Sequence, residues 1–510
     1  MGKYVGIDLG TTFSAVAYID EKGNPQVVPN SDGNNITPSA VLFDEGNPVV
    51  GDEAKKGGKF SPGCYADFIK RHMGDKNFIF HDESSNSDYR PEDISAMILK
   101  KLKLDTENYL GDTIDGAVIT VPAYFTDLQR QSTKDAAEIA GVPLLALINE
   151  PTAAAIAFGV TKNISDKQKV MIYDFGGGTF DVSILEIDSE NIKVLSTNGD
   201  ATLGGYDIDK AIYDYVVSQA LENGFDIEGD IDAKQSLMLE AENAKKSLSR
   251  KKSKATITLY VQGKKYSQDI TQEVFEGTII DTIIERTASI MQGAIDEANL
   301  TYEDLDKVLL VGGSTRIPAV ADMIESETRI RPSSEVHPDE AVCIGAAFHA
   351  IDVAKREKAV DVQQKESGYD FKDVTSHGIG TVVYDENSNK EYNSIIVAKN
   401  TQIPVEMDRV YSIPANSKGI NFQITSGEYE DLEYTTIIGE AVLKVVPKDH
   451  DVPVKVVISC DKNSIIHARA IDLEECMDLG EIEIDRSEHN MTTDEVNDSK
   501  ERINRLNIGD

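Results

Sequence analysis

Two glycine-rich segments carry the residue types that bind phosphate and magnesium: Ile7-Asp8-Leu9-Gly10-Thr11-Thr12 and Asp174-Phe175-Gly176-Gly177-Gly178-Thr179-Phe180-Asp181. In each, an apolar β-rich run (Tyr4 to Leu9, Val170 to Tyr173) enters an aspartate, turns through glycine and leaves by a second β-rich run (Phe13 to Ile19, Phe180 to Ile187). That is the pattern of a strand, turn, strand unit. Glycine lets consecutive backbone N–H groups converge on an anion with no Cβ in the way, threonine hydroxyls add donors, and aspartates hold Mg²⁺ directly or through water. One such turn alone is usually only a hairpin. Its recurrence suggests two lobes of similar construction, each offering a hairpin to opposite sides of one nucleotide. The chain lacks G-x-x-x-x-G-K-[ST], and lacks G-x-G-x-x-G between a strand and a helix. The phosphate loops are therefore hairpins rather than helix caps, which excludes the two commonest nucleotide folds.

Other candidates read two ways from local context. Val308 to Val320 is a buried strand opening through Gly312-Gly313 into a helix whose first turn holds Pro318; it is either a tight strand-to-helix turn or a place where backbone approaches a flat ligand. Arg316, just after the turn, could stack on an adenine or stay solvated. Glu242, Lys245, Lys246 and Ser249 fall near one another at helical spacing, the usual signature of a solvated charged face. Lys70 reads as a surface lysine, and Glu150, before a proline, as a helix-entry residue or a metal-associated carboxylate. No histidines pair as H-x-x-x-H and no serine or cysteine nucleophile context is present, so covalent catalysis is not suggested.

These segments need a framework to hold them. At 510 residues with 40% hydrophobic content, the chain holds more than one packed domain. From Met1 to about Ala359 strands alternate with helices, as in Gly116 to Pro122, Thr126 to Ala140 and Val308 to Val311, an α/β organisation. Thr126 is a plausible N-cap and Gly141 a C-terminal stop. Beyond a polar stretch, Asp361 to Gly368, short alternating runs (Ser394 to Val397, Ala441 to Val446, Val454 to Ser459) read as a small β domain. Thr492 and Glu495 form a capping box opening a helix to Leu506. The net charge of −37 disfavours nucleic acid and anionic lipid as partners. Four separated cysteines without C-x-x-C, no apolar h-region and no membrane-length apolar run lead to the expectation of a cytoplasmic protein.

With these residues in view, Ile7 to Thr12, Val121-Pro122-Ala123-Tyr124-Phe125, Asn149-Glu150-Pro151-Thr152-Ala153-Ala154-Ala155, Asp174 to Asp181 and Val308 to Pro318 together resemble the DnaK-type heat-shock chaperones. The resemblance is dense through about Ala350 and thinner beyond. It implies an actin-like two-lobed ATPase at residues 1–359, a linker at 360–375, a small all-β sandwich that holds extended apolar peptides at 376–485, and a short C-terminal helix or tail at 486–510. It further implies that Gly10, Thr11 and Thr12 bind phosphate from one lobe and Gly176, Gly177, Gly178 and Thr179 from the other, with Gly204 and Gly205 in a further phosphate-side segment. Asp8, Glu150 and Asp174 would organise hydrated Mg²⁺. Lys70 would sit against the γ-phosphate and attacking water, which Asp181 and Thr179 help orient. Glu242, Lys245, Ser249, Gly312, Gly313, Ser314, Arg316 and Asp339 would surround the adenosine, and Pro122 and Arg130 would relay nucleotide state to the β domain. ATP/ADP, Mg²⁺ and K⁺ are the implied ligands; unfolded or extended apolar segments, a J-domain co-chaperone and a nucleotide-exchange factor are the implied partners. The implied activity is slow ATP hydrolysis coupled to protein folding.

The chain also departs from that family's pattern. Asp200-Ala201-Thr202-Leu203 stands where the family has Gly-Asp-Thr-His-Leu, a change that leaves nucleotide binding expected. Tyr369-Asp370-Phe371-Lys372-Asp373-Val374 replaces a leucine run between aspartates, so docking of the linker does not follow from the resemblance. The first peptide-cradling loop, Thr381 to Lys390, is polar, with Ile413 and Ile420 left to supply the apolar arch and pocket. Too little chain follows for a helical lid, which predicts fast peptide exchange. Two other functions compete: a nucleotide-gated adaptor with a dedicated partner and little turnover, and a sugar kinase, which shares the core but has no use for the β domain.

Overall fold

The computed structural model describes residues 3–162, 164, 166–250, 253–333, 335, 337–358, 366–385, 389–461, 465–484 and 490–508. Two sheets built on the same plan form the first part of the chain. In lobe I the strand Tyr4–Asp8 runs parallel to Gly116–Val121, which runs parallel to Leu144–Asn149; on its other side it forms a hairpin with Phe13–Ile19, followed by Pro25–Val28. In lobe II the strand Gln168–Phe175 runs parallel to Lys307–Val311 and forms a hairpin with Phe180–Ile187, followed by Asn191–Asp200. Both glycine-rich turns thus close the same hairpin of the same sheet plan, as their recurrence suggests.

The strands of both hairpins are buried nearly end to end, which is why they read as continuous apolar runs rather than alternating ones. Helix Ala341–Lys358 lies against lobe I's central strand and against helix Glu150–Lys162, and the alanine-rich sequences of both helices let them approach closely. A Cβ on Gly345 would lie 1.8 Å from the Ala153 carbonyl, and one on Gly6 2.1 Å from the Ala347 nitrogen. The resulting core joins residues of both lobes, from Tyr4 and Ile19 to Ile172 and Leu309.

Helix Asp127–Ala140 begins on Thr126, whose hydroxyl oxygen accepts from the Gln129 N–H, and ends on Gly141 in the left-handed region, as its sequence signals require. Helix Pro318–Thr328 takes Pro318 in its first turn, after a single turn of 3-10 helix at Gly313–Arg316.

The β domain is a sandwich of two four-stranded sheets, one holding Ile379–Asp385, Lys390–Val397, Gly419–Ser426 and Thr436–Lys444, the other Val405–Ile413, Val452–Cys460, Ile466–Asp472 and Met477–Ile484. Thr381 to Asp385, read from sequence as loop, is strand; residues 386–388 of that stretch lie outside the described residues.

The linker segment is docked on lobe II. Residues 359–365 fall outside the described residues, but Asp370–Lys372 adds a fifth strand to the lobe II sheet, parallel to Asn191–Lys193. Tyr369 is buried over Gly159, where a Cβ would meet its ring at 2.9 Å, and Phe371 meets the His349 ring edge-on at 4.6 Å. Strand addition uses backbone N–H and C=O groups, so it tolerates aromatics where the family uses leucines. The C-terminal helix, Thr493–Arg505, packs on lobe I: Val496 and Ile503 are fully buried in that lobe's core, Arg502 reaches Asp93 at 2.6 Å, and Arg90 reaches Glu495 at 2.6 Å.

Candidate functional site

Between the lobes lies a cavity of about 380 Å³, and both hairpin turns open onto it. Lobe I contributes Asp8, Gly10, Thr11, Thr12, Lys70 and Glu150; lobe II contributes Asp174, Gly176, Gly177, Thr179, Glu242, Lys245, Ser249, Gly312, Gly313, Ser314 and Arg316, with Asp339 alongside. The turns almost touch. A Cβ on Gly177 would lie 1.6 Å from the Thr12 hydroxyl oxygen, and one on Gly178 2.4 Å from the Thr11 methyl carbon. Glycine is needed there for close approach across the cleft. The Thr12 hydroxyl is buried with no hydrogen-bond partner, a cost of about 1–3 kcal/mol unless an acceptor arrives.

Gly204 and Gly205 do not line the cavity but brace it: the Gly205 N–H donates to the Gly176 carbonyl at 3.0 Å, and a Cβ on Gly204 would meet the Gly178 backbone at 2.4 Å. Asp181 sits behind the turn, 1% exposed, accepting the Tyr124 N–H at 3.0 Å.

Lys70, read locally as a surface lysine, is 7% exposed and its Nζ lies 2.5 Å from the Glu150 carboxylate. Around this pair the buried acids repel one another. Burial, then the charge of Glu150, pushes Asp8 up to about 7, and the same two causes raise Asp181 to about 7. Asp174 is pushed well above the carboxylate range by burial and by Glu150, Asp181 and Asp8. So much buried negative charge on one side of a cavity calls for a cation. Among the described residues no three acids, histidines or cysteines converge closely enough to ligate a metal directly. The unpartnered Thr12 hydroxyl, the glycine cradle and the carboxylate cluster together fit a magnesium nucleotide.

At the other end of the cavity, Glu242 receives Lys55 from lobe I at 2.9 Å and Lys246 at 2.7 Å. Burial alone would raise Glu242, but the two lysines outweigh it and hold it at about 2. Lys245 donates to the Gly205 carbonyl at 2.8 Å and to Asp209 at 2.7 Å; Ser249 donates to the Lys245 carbonyl at 2.8 Å. Ser314 donates to the Gly176 carbonyl at 2.8 Å, tying this end to the phosphate turn. Gly312 has φ +83, and a Cβ there would strike the Phe175 carbonyl at 2.5 Å. The Arg316 guanidinium pairs with Asp339. Sequence reasoning did not find Lys55, whose only signal is a partner 187 residues away.

The family model for Hsp70 proteins matches residues 4–507, nearly the whole chain. The chain belongs to the Hsp70 family. Hsp70 proteins are ATP-dependent chaperones that bind nucleotide with Mg²⁺ and act on client peptides with co-chaperones, and the two-lobed ATPase followed by a β-sandwich found here is the fold of that family. Among the described residues, no helix is long and apolar enough to cross a membrane.

Pro122, Arg130, Ile413 and Ile420, for which the resemblance implied relay and peptide roles, do not line the cavity. Arg130 is 8% exposed; it donates to Asn149 Oδ1 at 2.6 Å and to the carbonyls of Phe125 and Ala123, and reaches the Ser376 hydroxyl at 3.4 Å. Asn149 in turn donates to Asp373 of the linker at 2.8 Å. Pro122 begins the turn that carries Ala123 and Tyr124, whose carbonyls meet Ser376 and His377 of the β domain at 2.5 and 3.2 Å. Ile413 lies 3% exposed in the sandwich core, with Ile420 half-buried against it.

Proposed function

We propose that this Hsp70 chain is a DnaK-type chaperone whose slow ATP hydrolysis controls the grip of its β-sandwich on extended apolar segments. The observation that carries the reading is the hydrogen-bonded path Asn149–Arg130–Ser376, with Asp373 joined at Asn149, which begins one peptide bond from Glu150: chain neighbours Asn149 and Glu150 face the linker and the cavity respectively. Any shift of Glu150 toward a bound cation moves the residue that holds the linker.

In the cleft, backbone N–H groups at Gly10–Thr12 and Gly176–Thr179 would bind phosphate oxygens, and the Thr12 hydroxyl would donate to one. Asp8, Asp174 and Glu150 would hold the waters of Mg²⁺. When bound, the ion supplies charge neutralisation to the phosphates. Lys70, held by Glu150, would offer its ammonium to the terminal phosphoryl group, while Asp181 and Thr179 would orient the attacking water. Catalysis is then positioning plus charge stabilisation, with no covalent intermediate. Glu242, Lys245, Ser249, Arg316 and Asp339 would contact the adenosine. The same reading implies K⁺ as a companion ion, a J-domain protein and an exchange factor as partners, and action in the cytoplasm.

A second reading, an adaptor that grips one dedicated partner with little turnover, is favoured by the burial of Ile413 in the sandwich core. A library of apolar heptapeptides separates the two. The chaperone reading expects many to bind, more weakly with ATP than with ADP; binding of few or none, unaffected by nucleotide, supports the adaptor.

A further inference from the structure

Beside the nucleotide cavity the lobes meet through an aromatic and cationic cluster that the catalytic reading does not use. Tyr206 follows Gly205 in the segment bracing the second hairpin, and its N–H donates to the Gly177 carbonyl at 2.8 Å. Its backbone is thereby fixed to the phosphate turn of lobe II. Its ring lies 4.7 Å from the Phe68 ring and 4.9 Å from the Arg71 guanidinium carbon, both in lobe I. Arg71 also holds Asp207 with two nitrogens at 3.2 Å and the Thr202 carbonyl at 2.7 Å. Phe68 and Arg71 flank Ile69 and Lys70 in the chain, and the 3-10 turn Ile69–His72 carries Lys70 into the cavity. Phe68 enters that turn at φ 53, ψ 20, a left-handed backbone that a bulky residue keeps only where its surroundings hold it.

We propose that Tyr206, clasped by Phe68 and Arg71, is a positioning latch that sets Lys70 against the phosphate turn of the opposite lobe. The proposal rests on the reading of the cavity as a MgATP site. The Gly177 carbonyl holds the Tyr206 backbone, the ring holds Phe68 by a tilted ring contact and Arg71 by cation–π attraction, and those two residues bracket the turn that presents Lys70. Lobes that drift apart lose the latch and displace the ammonium together, and misplacing a catalytic group by about 1 Å can cost about 100-fold in rate.

The test uses the full chain with Tyr206→Ala, Tyr206→Leu and Tyr206→Phe, in single-turnover hydrolysis at saturating MgATP, with ATP affinity and the thermal midpoint measured alongside. The latch predicts that Ala and Leu both slow the hydrolytic step about tenfold while ATP affinity changes less than about threefold. Phe, which keeps the ring on Arg71, should retain the rate within about twofold. Leu keeps bulk without a π face, so its loss identifies the aromatic contact even where Ala disturbs folding. Wild-type turnover in Tyr206→Leu, equal loss in Phe and Leu, or an effect confined to affinity or the thermal midpoint overturns the latch. If the unsubstituted chain binds no MgATP, the nucleotide reading and the latch fall together; if it turns over ATP and Tyr206→Leu is indifferent, only the latch falls.

Discussion

In the cleft between the lobes the residues that line the cavity belong largely to turns: Gly176 and Gly177, Thr11 and Thr12, and the buried acids Asp8, Glu150 and Asp174. In the β-sandwich the nearest functional candidates, Ile413 and Ile420, belong to the packed core together with Phe422, Ile424 and Ile458. The cleft therefore carries function at a cost in stability, storing unpaired polar atoms and mutually repelling carboxylates. The sandwich stores stability first, and any peptide site has to be opened from it. One lesson follows for substitution: changes in the cleft should alter chemistry without unfolding the protein, and changes at the corresponding depth in the sandwich should do the reverse.

The sharpest way to break that contrast is Lys70→Ala. Loss of the ammonium should cut hydrolysis by about 100- to 1,000-fold with ATP still bound, while the ligand-free thermal midpoint falls because Glu150 loses its buried partner; unchanged turnover with ATP bound would remove Lys70 from the mechanism. In the sandwich, Ile413→Ala should cost about 2–4 kcal/mol of stability, read by urea unfolding of the β domain, while ATP binding persists. If peptide binding were lost with stability intact, Ile413 would be a surface pocket residue after all.

Asp8→Asn should move stability the other way, raising that of the ligand-free protein by on the order of 2 kcal/mol at pH 7.5 by relieving buried repulsion. The sign follows from protons: between the ordinary value of 3.8 and about 7, the folded chain holds protons that the unfolded chain has released. Stability of the ligand-free parent therefore falls as pH rises across that window and levels off above it. A pH series of melting midpoints that is steeper for the parent than for Asp8→Asn confirms the assignment. The smallest effect is expected at Lys55→Ala. It removes one partly buried pair with Glu242 across the lobes and leaves Glu242 its second partner, Lys246, so ADP release should quicken by about threefold, given that single ion pairs near the surface contribute ~0.2–1 kcal/mol; stopped-flow release of a fluorescent ADP measures it.

The same contrast explains what the sequence disclosed. The two glycine turns were legible because each closes a hairpin of adjacent strands, local backbone geometry that a short motif encodes. The strand, helix and cap pattern around Thr126 and Gly141 was legible for the same reason. Lys70 was not legible from its neighbours, because its burial depends on Glu150, 80 residues away; only the family resemblance marked it. The Lys55–Glu242 pair and the Tyr206 contacts were missed because nothing local signals a partner in the other lobe. The docking of the linker was not legible, because the leucine pattern that would mark it is missing. In the fold it is held by strand pairing to Asn191–Lys193, the buried Tyr369 ring and the Asp373 carboxylate, none of which requires leucine. In the sandwich, alternating runs gave strands in the right places, but which apolar residues face the core depends on how two sheets stack, and Ile413 fell inside.

The central claim is that the cleft and the sandwich, so unlike in physics, are coupled through the docked linker. The most direct test is the MgATP hydrolysis rate of the purified chain with and without a saturating extended apolar peptide, in the parent and in Asp373→Ala. Coupling predicts stimulation by peptide in the parent and its loss in Asp373→Ala, with the basal rates of both retained. A parent rate indifferent to peptide, although the peptide binds, would contradict the account and leave an ATPase and a sandwich that share only a chain.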